Sequence, residues 1–147
     1  MKALVIAALL WPALLAASLW QTVRDPAAAW PAVVRIAASR VCHRLPERSF
    51  HTAGVQWPVC ARCTGLYLSA PFGAVAAAAA VRRRRLTPRH QMLRCLAWLA
   101  VPTALTLVFE WPQLLPVSNT ARFLAALPLG AALAWVLVQT SADHRIH

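Results

Sequence analysis

The reactive side chains of this chain gather between residues 42 and 65, in the stretch CHRLPERSFHTAGVQWPVCARCTG. Pro58 suits the first turn of a helix, which puts Cys60 and Cys63 at i and i+3 on one face of that turn. The helix dipole, the unpaired amides there and the neighbouring Arg62 all favour thiolate over thiol. Such a pair either binds a metal or exchanges disulfides. Cys42 and His43, upstream, add a third sulfur and a nitrogen. Cys42, His43, Cys60 and Cys63 are therefore a complete donor set for zinc or another transition metal, with His51 as an alternative fourth ligand. Three readings stand at this point: a metal centre, a disulfide from Cys42 to Cys60 or Cys63 that pins the loop to the helix, or inert thiols. Cys60 and Cys63 are the candidate catalytic pair, for thiol–disulfide exchange. The haem attachment pattern C-x-x-C-H is absent, since Thr64 follows Cys63. With Asp and Glu numbering 4 in the whole chain, a carboxylate-built hydrolase site has little material. Glu47 reads as a local ion pair with Arg44 or Arg48. Glu110 closes an apolar block, a position that suits either the membrane interface or a buried partner. Cys95 reads as a buried thiol, remote from the cluster.

The elements that must position these residues are apolar. The chain is 60% hydrophobic and 13% charged, and the apolar residues come in blocks rather than alternating. Four blocks read as transmembrane helices, at about 3–20, 60–81, 94–110 and 121–139, with a Cys/His loop over 40–63, all in one membrane domain spanning 1–147. Residues 1–20 fit an anchor, with Trp20 at the interface, or a cleaved signal peptide. Residues 27–41, with Pro31 in the first turn, read as an amphipathic helix on the membrane surface or a partly buried connector. Gly65, Ser69, Gly73 and Ala77 recur every four residues, giving one helix face small enough for close approach of a neighbour. The run Arg82-Arg83-Arg84-Arg85 stops that helix and, by the positive-inside rule, puts the loop 82–94 in the cytoplasm and the cysteine loop outside. The net charge of +11 is then explained by arginines flanking apolar blocks and facing lipid head groups, and nucleic acid is excluded as a partner. The expected fold is an all-α integral membrane helical bundle with about four transmembrane helices, and its expected partner is the lipid bilayer. The small-residue face also suits self-association or a membrane partner protein.

Cys42-His43, Pro46-Glu47-Arg48-Ser49-Phe50, Gly54 and Pro58-Val59-Cys60-Ala61-Arg62-Cys63-Thr64-Gly65-Leu66-Tyr67 together resemble the motif of the domain of unknown function 2085 family, small multi-pass membrane proteins of prokaryotes. Glu110, Gln113, Ser118-Asn119 and Arg122 resemble the family's second, more diffuse motif, and the likeness extends over residues 40 to 138. Arg44 stands where the family often has glutamine, and Glu110-Trp111-Pro112 where an Asp-Gly pair is common. The resemblance implies a membrane protein and supplies no activity. It sharpens one expectation: Glu47, Arg48, Glu110, Gln113, Asn119 and Arg122 would form an outer shell around the cysteine site. The functional reading is an uncharacterised membrane protein with an exofacial metal-binding or disulfide-stabilised module. The alternative is a membrane thiol oxidoreductase. Transport of a small solute has less support, because the blocks lack buried charge.

Overall fold

The computed structural model describes residues 2–85, 87–110 and 116–143. Its helices are α1 (Lys2–Arg24), α2 (Trp30–Ser39), α3 (Ala61–Arg82), α4 (Arg89–Glu110) and α5 (Asn119–Asp143). Among the described residues, α1, α3, α4 and α5 are long and apolar enough to cross a membrane. α1, α4 and α5 run beyond the apolar blocks that announced them, because hydropathy marks where the hydrocarbon ends whereas the backbone continues its hydrogen bonds past it; α3 is displaced from its block by one residue. Each also carries an internal proline, at Pro12, Pro71, Pro102 and Pro128. Neighbouring helices and side-chain hydroxyls make this tolerable in a membrane.

The bundle is ordered α1, α3, α5, α4, with α3 and α5 running parallel in the closest pairing. The small-residue stripe of α3 makes that approach possible. Gly65, Ser69, Gly73 and Ala77 are buried, and they meet Phe123, Ala126, Gly130, Ala131 and Ala134 of α5. A side chain at Gly73 would collide with the backbone of Ala131, and one at Gly130 with the backbone of Leu66. Thr103 of α4 donates from its hydroxyl to the Ala125 carbonyl of α5 at 2.8 Å. The outer surface remains apolar, with Ile6, Leu10, Phe72, Trp98, Val108 and Leu137 exposed, as expected where the solvent is lipid rather than water.

Because α3 and α5 begin at the end of the bundle where α1 and α4 finish, the loop 25–60 shares one end with Glu110, the last residue of α4, and Asn119, the first of α5. This loop carries α2, a 3₁₀ turn at Pro46–Arg48 and a hairpin of β1 (His51–Thr52) and β2 (Val55–Gln56). The hairpin is an addition to the all-α reading. Its Ala53-Gly54 turn has φ of 51° and 76°, the left-handed pair that a two-residue hairpin loop requires, and strands of two residues are too short for alternation to register in a sequence. In α2, Pro31 and Ala38 are buried while Trp30, Val33 and Ile36 stay exposed, which leaves an apolar face turned away from the bundle.

Candidate metal centre

Cys60 is the N-cap of α3, in extended conformation, so the helix opens at Ala61 and Pro58 lies before the cap rather than in the first turn. The spacing still brings Cys60 and Cys63 together. Cys42, one turn past the end of α2, returns to the same point, and the Cys60 amide donates to its Sγ at 3.2 Å. Among the described residues, the sulfurs of Cys42, Cys60 and Cys63 form a group within 4.8 Å of one another. All three are free thiols. An N–H···S contact at a helix cap favours negative sulfur for the same reason that helix N-termini bind anions: the amides there have no intrahelical acceptor. Cys60 shows the consequence. Its thiol is brought down to about 5, first by a hydrogen bond from the Cys63 thiol, against the opposing effect of burial, with the Cys63 amide, the Cys42 thiol and the Arg62 amide adding to it. The apolar walls of the cluster are Leu15 and Trp11 of α1, Val34 and Ala38 of α2, Val59, and Tyr67 of α3. Trp11 meets Tyr67 edge to face at 6.0 Å between ring centroids.

The two histidines considered with the cysteines stay outside this group. Cys42 is buried and His43 exposed, since side chains on adjacent extended residues diverge, and His51 is exposed on β1. His43 lines a cavity of about 380 Å³ together with the three cysteines. Cys95 is exposed rather than buried. It lines an apolar cleft of about 570 Å³ among α3, α4 and α5, because α4 leans on α5 and stands away from α3.

Beside the sulfurs lies a second cluster, centred on Glu110 at the end of α4. Its side chain is 7% exposed, and all ion pairs found among the described residues converge on it. Arg122 of α5 donates from Nε to Oε1 at 2.6 Å and Arg62 of α3 from Nη2 to Oε1 at 3.1 Å, while Arg48 of the 3₁₀ turn stands 3.7 Å from Oε2. Glu110 thus faces buried partners and does more than mark the interface. Arg62, between the two cysteines of the helix cap, also donates to Thr106 Oγ1 at 3.1 Å and so joins the sulfur cluster to the acid. Arg122 donates from Nη1 to Asn119 Oδ1 at 2.6 Å and to the Glu47 carbonyl at 3.4 Å. Asn119 Nδ2 in turn donates to the Ser49 carbonyl at 3.0 Å. Ser118 caps α5, its hydroxyl accepting from the Ala121 amide at 3.1 Å.

Of the outer-shell residues read from sequence, Arg48, Glu110, Asn119 and Arg122 lie together, and Glu47 joins through its carbonyl alone. Its carboxylate forms no ion pair with Arg44 or Arg48 among the described residues, because Arg48 turns to Glu110 instead. Gln113 lies outside the described residues. Two participants carried no sequence signal of their own. Gln56 donates to the Arg44 carbonyl at 2.7 Å and to Ser49 Oγ at 3.1 Å, and Thr106 receives Arg62. Arg44 itself holds a left-handed φ of 51°, fixed by Gln56 on its carbonyl and by its own Nη1 donating to the Arg35 carbonyl at 3.1 Å.

The family model for domain of unknown function 2085, described as a predicted membrane protein, matches residues 42–136, a range that contains both clusters in full. An uncharacterized protein of Methanothermobacter thermautotrophicus is 35% identical over 95 residues, covering 64% of this chain and 81% of that protein. No solved structure matches the chain. With its apolar-surfaced helices, its gathered cysteines and this match over most of its length, the chain belongs to the domain of unknown function 2085 family of membrane proteins.

Proposed function

We propose that Cys42, Cys60 and Cys63 hold a transition metal, zinc foremost, in a binding or structural centre that clasps the loop 40–63 to the top of α3. The observation that carries this reading is the triangle of sulfurs within 4.8 Å of one another, drawn from two segments and met by the Cys60 amide. A disulfide uses two sulfurs and strands the third. A metal uses all three, and thiolate is the ligand that zinc and softer ions favour. The domain then spans 1–147, with α1, α3, α4 and α5 crossing the bilayer, α2 resting its Trp30, Val33 and Ile36 face on the surface, and Glu47, Arg48, Glu110, Asn119 and Arg122 bracing the centre. The arginine loop 82–94 faces the cytoplasm and the centre faces outward, an orientation supported by the four consecutive exposed arginines at 82–85. In an oxidising compartment a bound ion would also keep the three adjacent thiols from pairing with one another.

The test is elemental analysis of protein purified in detergent without chelators, with thiols counted before and after reduction. About one equivalent of metal with all thiols recovered is expected, as is its loss in Cys42→Ser and Cys60→Ser. Absent metal together with a stable disulfide would overturn the reading. The lowered Cys60 thiol favours one second reading, thiol–disulfide exchange, in which Cys60 attacks a partner disulfide and Cys63 resolves the mixed disulfide. Metal-free protein whose Cys60–Cys63 pair cycles reversibly with a dithiol of moderate potential would support it. An impermeant thiol reagent reaching Cys60 in metal-stripped cells only from the cytoplasmic side would overturn the orientation.

A further inference from the structure

The cavity of about 380 Å³ beside the sulfurs has a second wall of arginine. Arg44, Arg48, Arg62 and Arg122 line it together with Cys42, Cys60 and Cys63. Three of these guanidiniums, those of Arg48, Arg62 and Arg122, are met by one carboxylate, that of Glu110, and Arg44 forms no ion pair among the described residues. A divalent ion held by three thiolates carries a single negative charge, so the lining keeps an excess positive charge of about two. Uncompensated charge in a partly buried, apolar-walled site is costly unless an ion of opposite sign enters. The donor capacity of the wall is not used up: among the described residues Arg44 Nε and Arg62 Nε have no hydrogen-bond partner, and Arg48, 43% exposed, approaches Glu110 Oε2 only to 3.7 Å. Coordination points the same way. Three sulfurs leave a tetrahedral ion one open position, and among the described residues no further His, Asp or Glu joins their group: His43 is exposed, and Glu110, whose Oε1 is shared by Arg62 and Arg122 and whose Oε2 has no hydrogen-bond partner, stands outside it.

We propose that this cavity binds a small oxyanion of the phosphate class, one oxygen completing the metal's coordination and the others taken by the guanidiniums of Arg44, Arg48 and Arg62. The coordination half rests on the metal reading above; the arginine half does not. Guanidinium forks match phosphate oxygens in geometry and charge, which lysine or histidine linings do not. The cavity opens at the helix ends, with Leu45 and Leu66 also in its wall, so the phosphate is either free in solution or carried on a lipid head group.

The experiment uses the full chain in uncharged detergent, loaded with Co(II), whose thiolate charge-transfer and d–d absorption report the fourth ligand. Inorganic phosphate is expected to shift these bands saturably, and Arg44→Gln and Arg48→Gln each to weaken that response roughly ten- to hundredfold, as loss of a charge-assisted hydrogen bond does. A shift produced by short-chain phosphatidylglycerol and not by inorganic phosphate supports the site with lipid as the source. Bands blind to both probes but altered in His43→Ala overturn the proposal and make His43 the fourth ligand. A response unchanged in both arginine variants overturns it too. Should cobalt fail to bind, the metal reading falls by itself, and the arginine half is read from alkylation: phosphate is expected to slow iodoacetamide at Cys60 in the native chain and much less in Arg44→Gln, and absence of that protection overturns the anion site.

Discussion

The two ends of the bundle hold similar amounts of positive charge and use it in opposite ways. At the end where α3 stops, Arg82, Arg83, Arg84 and Arg85 are all exposed, and none forms an ion pair among the described residues. The loop there is held by Gln139 of α5, whose Oε1 accepts from the Thr87 amide at 2.8 Å. At the end where α3 begins, Arg62 and Arg122 are 16% and 11% exposed and share one acid. Charge left in water beside a membrane sets orientation and attracts anionic lipid, at little cost to folding. Charge drawn into the protein must be paired, and pairing fixes geometry. The first end is therefore an electrostatic label, and the second an assembled site.

The sharpest test of that contrast is at sulfur. In metal-free protein, the Cys60–Cys63 pair gives up its first proton near pH 5. Alkylation of Cys60 should therefore stay nearly flat from about pH 8 to 6, where an ordinary thiol slows roughly a hundredfold. The lowered value also ties stability to pH: this contribution is complete above the unfolded thiol's range, near 8.5, shrinks as pH falls and is gone below about 5. Cys63→Ala removes the largest cause, so the alkylation midpoint should rise; an unmoved midpoint would sink the pairing. Next in size is Glu110→Ala. It leaves Arg62 and Arg122 buried without their acid and should cost about 3–5 kcal/mol in denaturant unfolding, against less than about 0.5 kcal/mol for the exposed Arg84→Gln at the other end. Equal costs would mean that the two ends do not differ in kind.

The same contrast governs what could be read before folding. The end of α3 at Arg82 was legible because four adjacent arginines after an apolar block act through composition alone. So was the close-approach face of α3, since Gly65, Ser69, Gly73 and Ala77 share a face at helical spacing, though not that α5 would be the helix to meet it. At the site end, local spacing revealed Cys60 and Cys63, and the family motif revealed which distant residues share their end. Pair assignments were not legible. Glu47 sits beside Arg48 in sequence, yet Arg48 serves Glu110, because partner choice is made by packing after the helices dock and not by chain proximity. Gln56 and Thr106 escaped for a related reason: their role lies in which carbonyl or guanidinium they meet, and residue type alone does not announce that. The position of Cys95 followed from how α4 leans, a tertiary outcome with no local signature.

Two smaller effects bound the comparison. Gly73→Leu drives a side chain into the Ala131 backbone at mid-bundle and should cost roughly 1–3 kcal/mol, with both ends loosened together because α3 and α5 serve both. Metal affinity should fall with it if the seam positions the site, and a variant that loses stability but keeps native affinity would show that the loops hold the sulfurs unaided. Gln139→Leu is the mildest. It strips the Thr87 amide of its acceptor, and since Thr87 is half-buried and can recruit water, the loss should be about 1 kcal/mol, at the low end for an unpaired donor. The loop at the label end then opens in hydrogen exchange while exchange at Thr64, behind the sulfurs, stays slow. If exchange at Thr64 accelerates too, the ends are coupled through α5, and the arginine loop would report on the state of the cysteine cluster at the other end of the bundle.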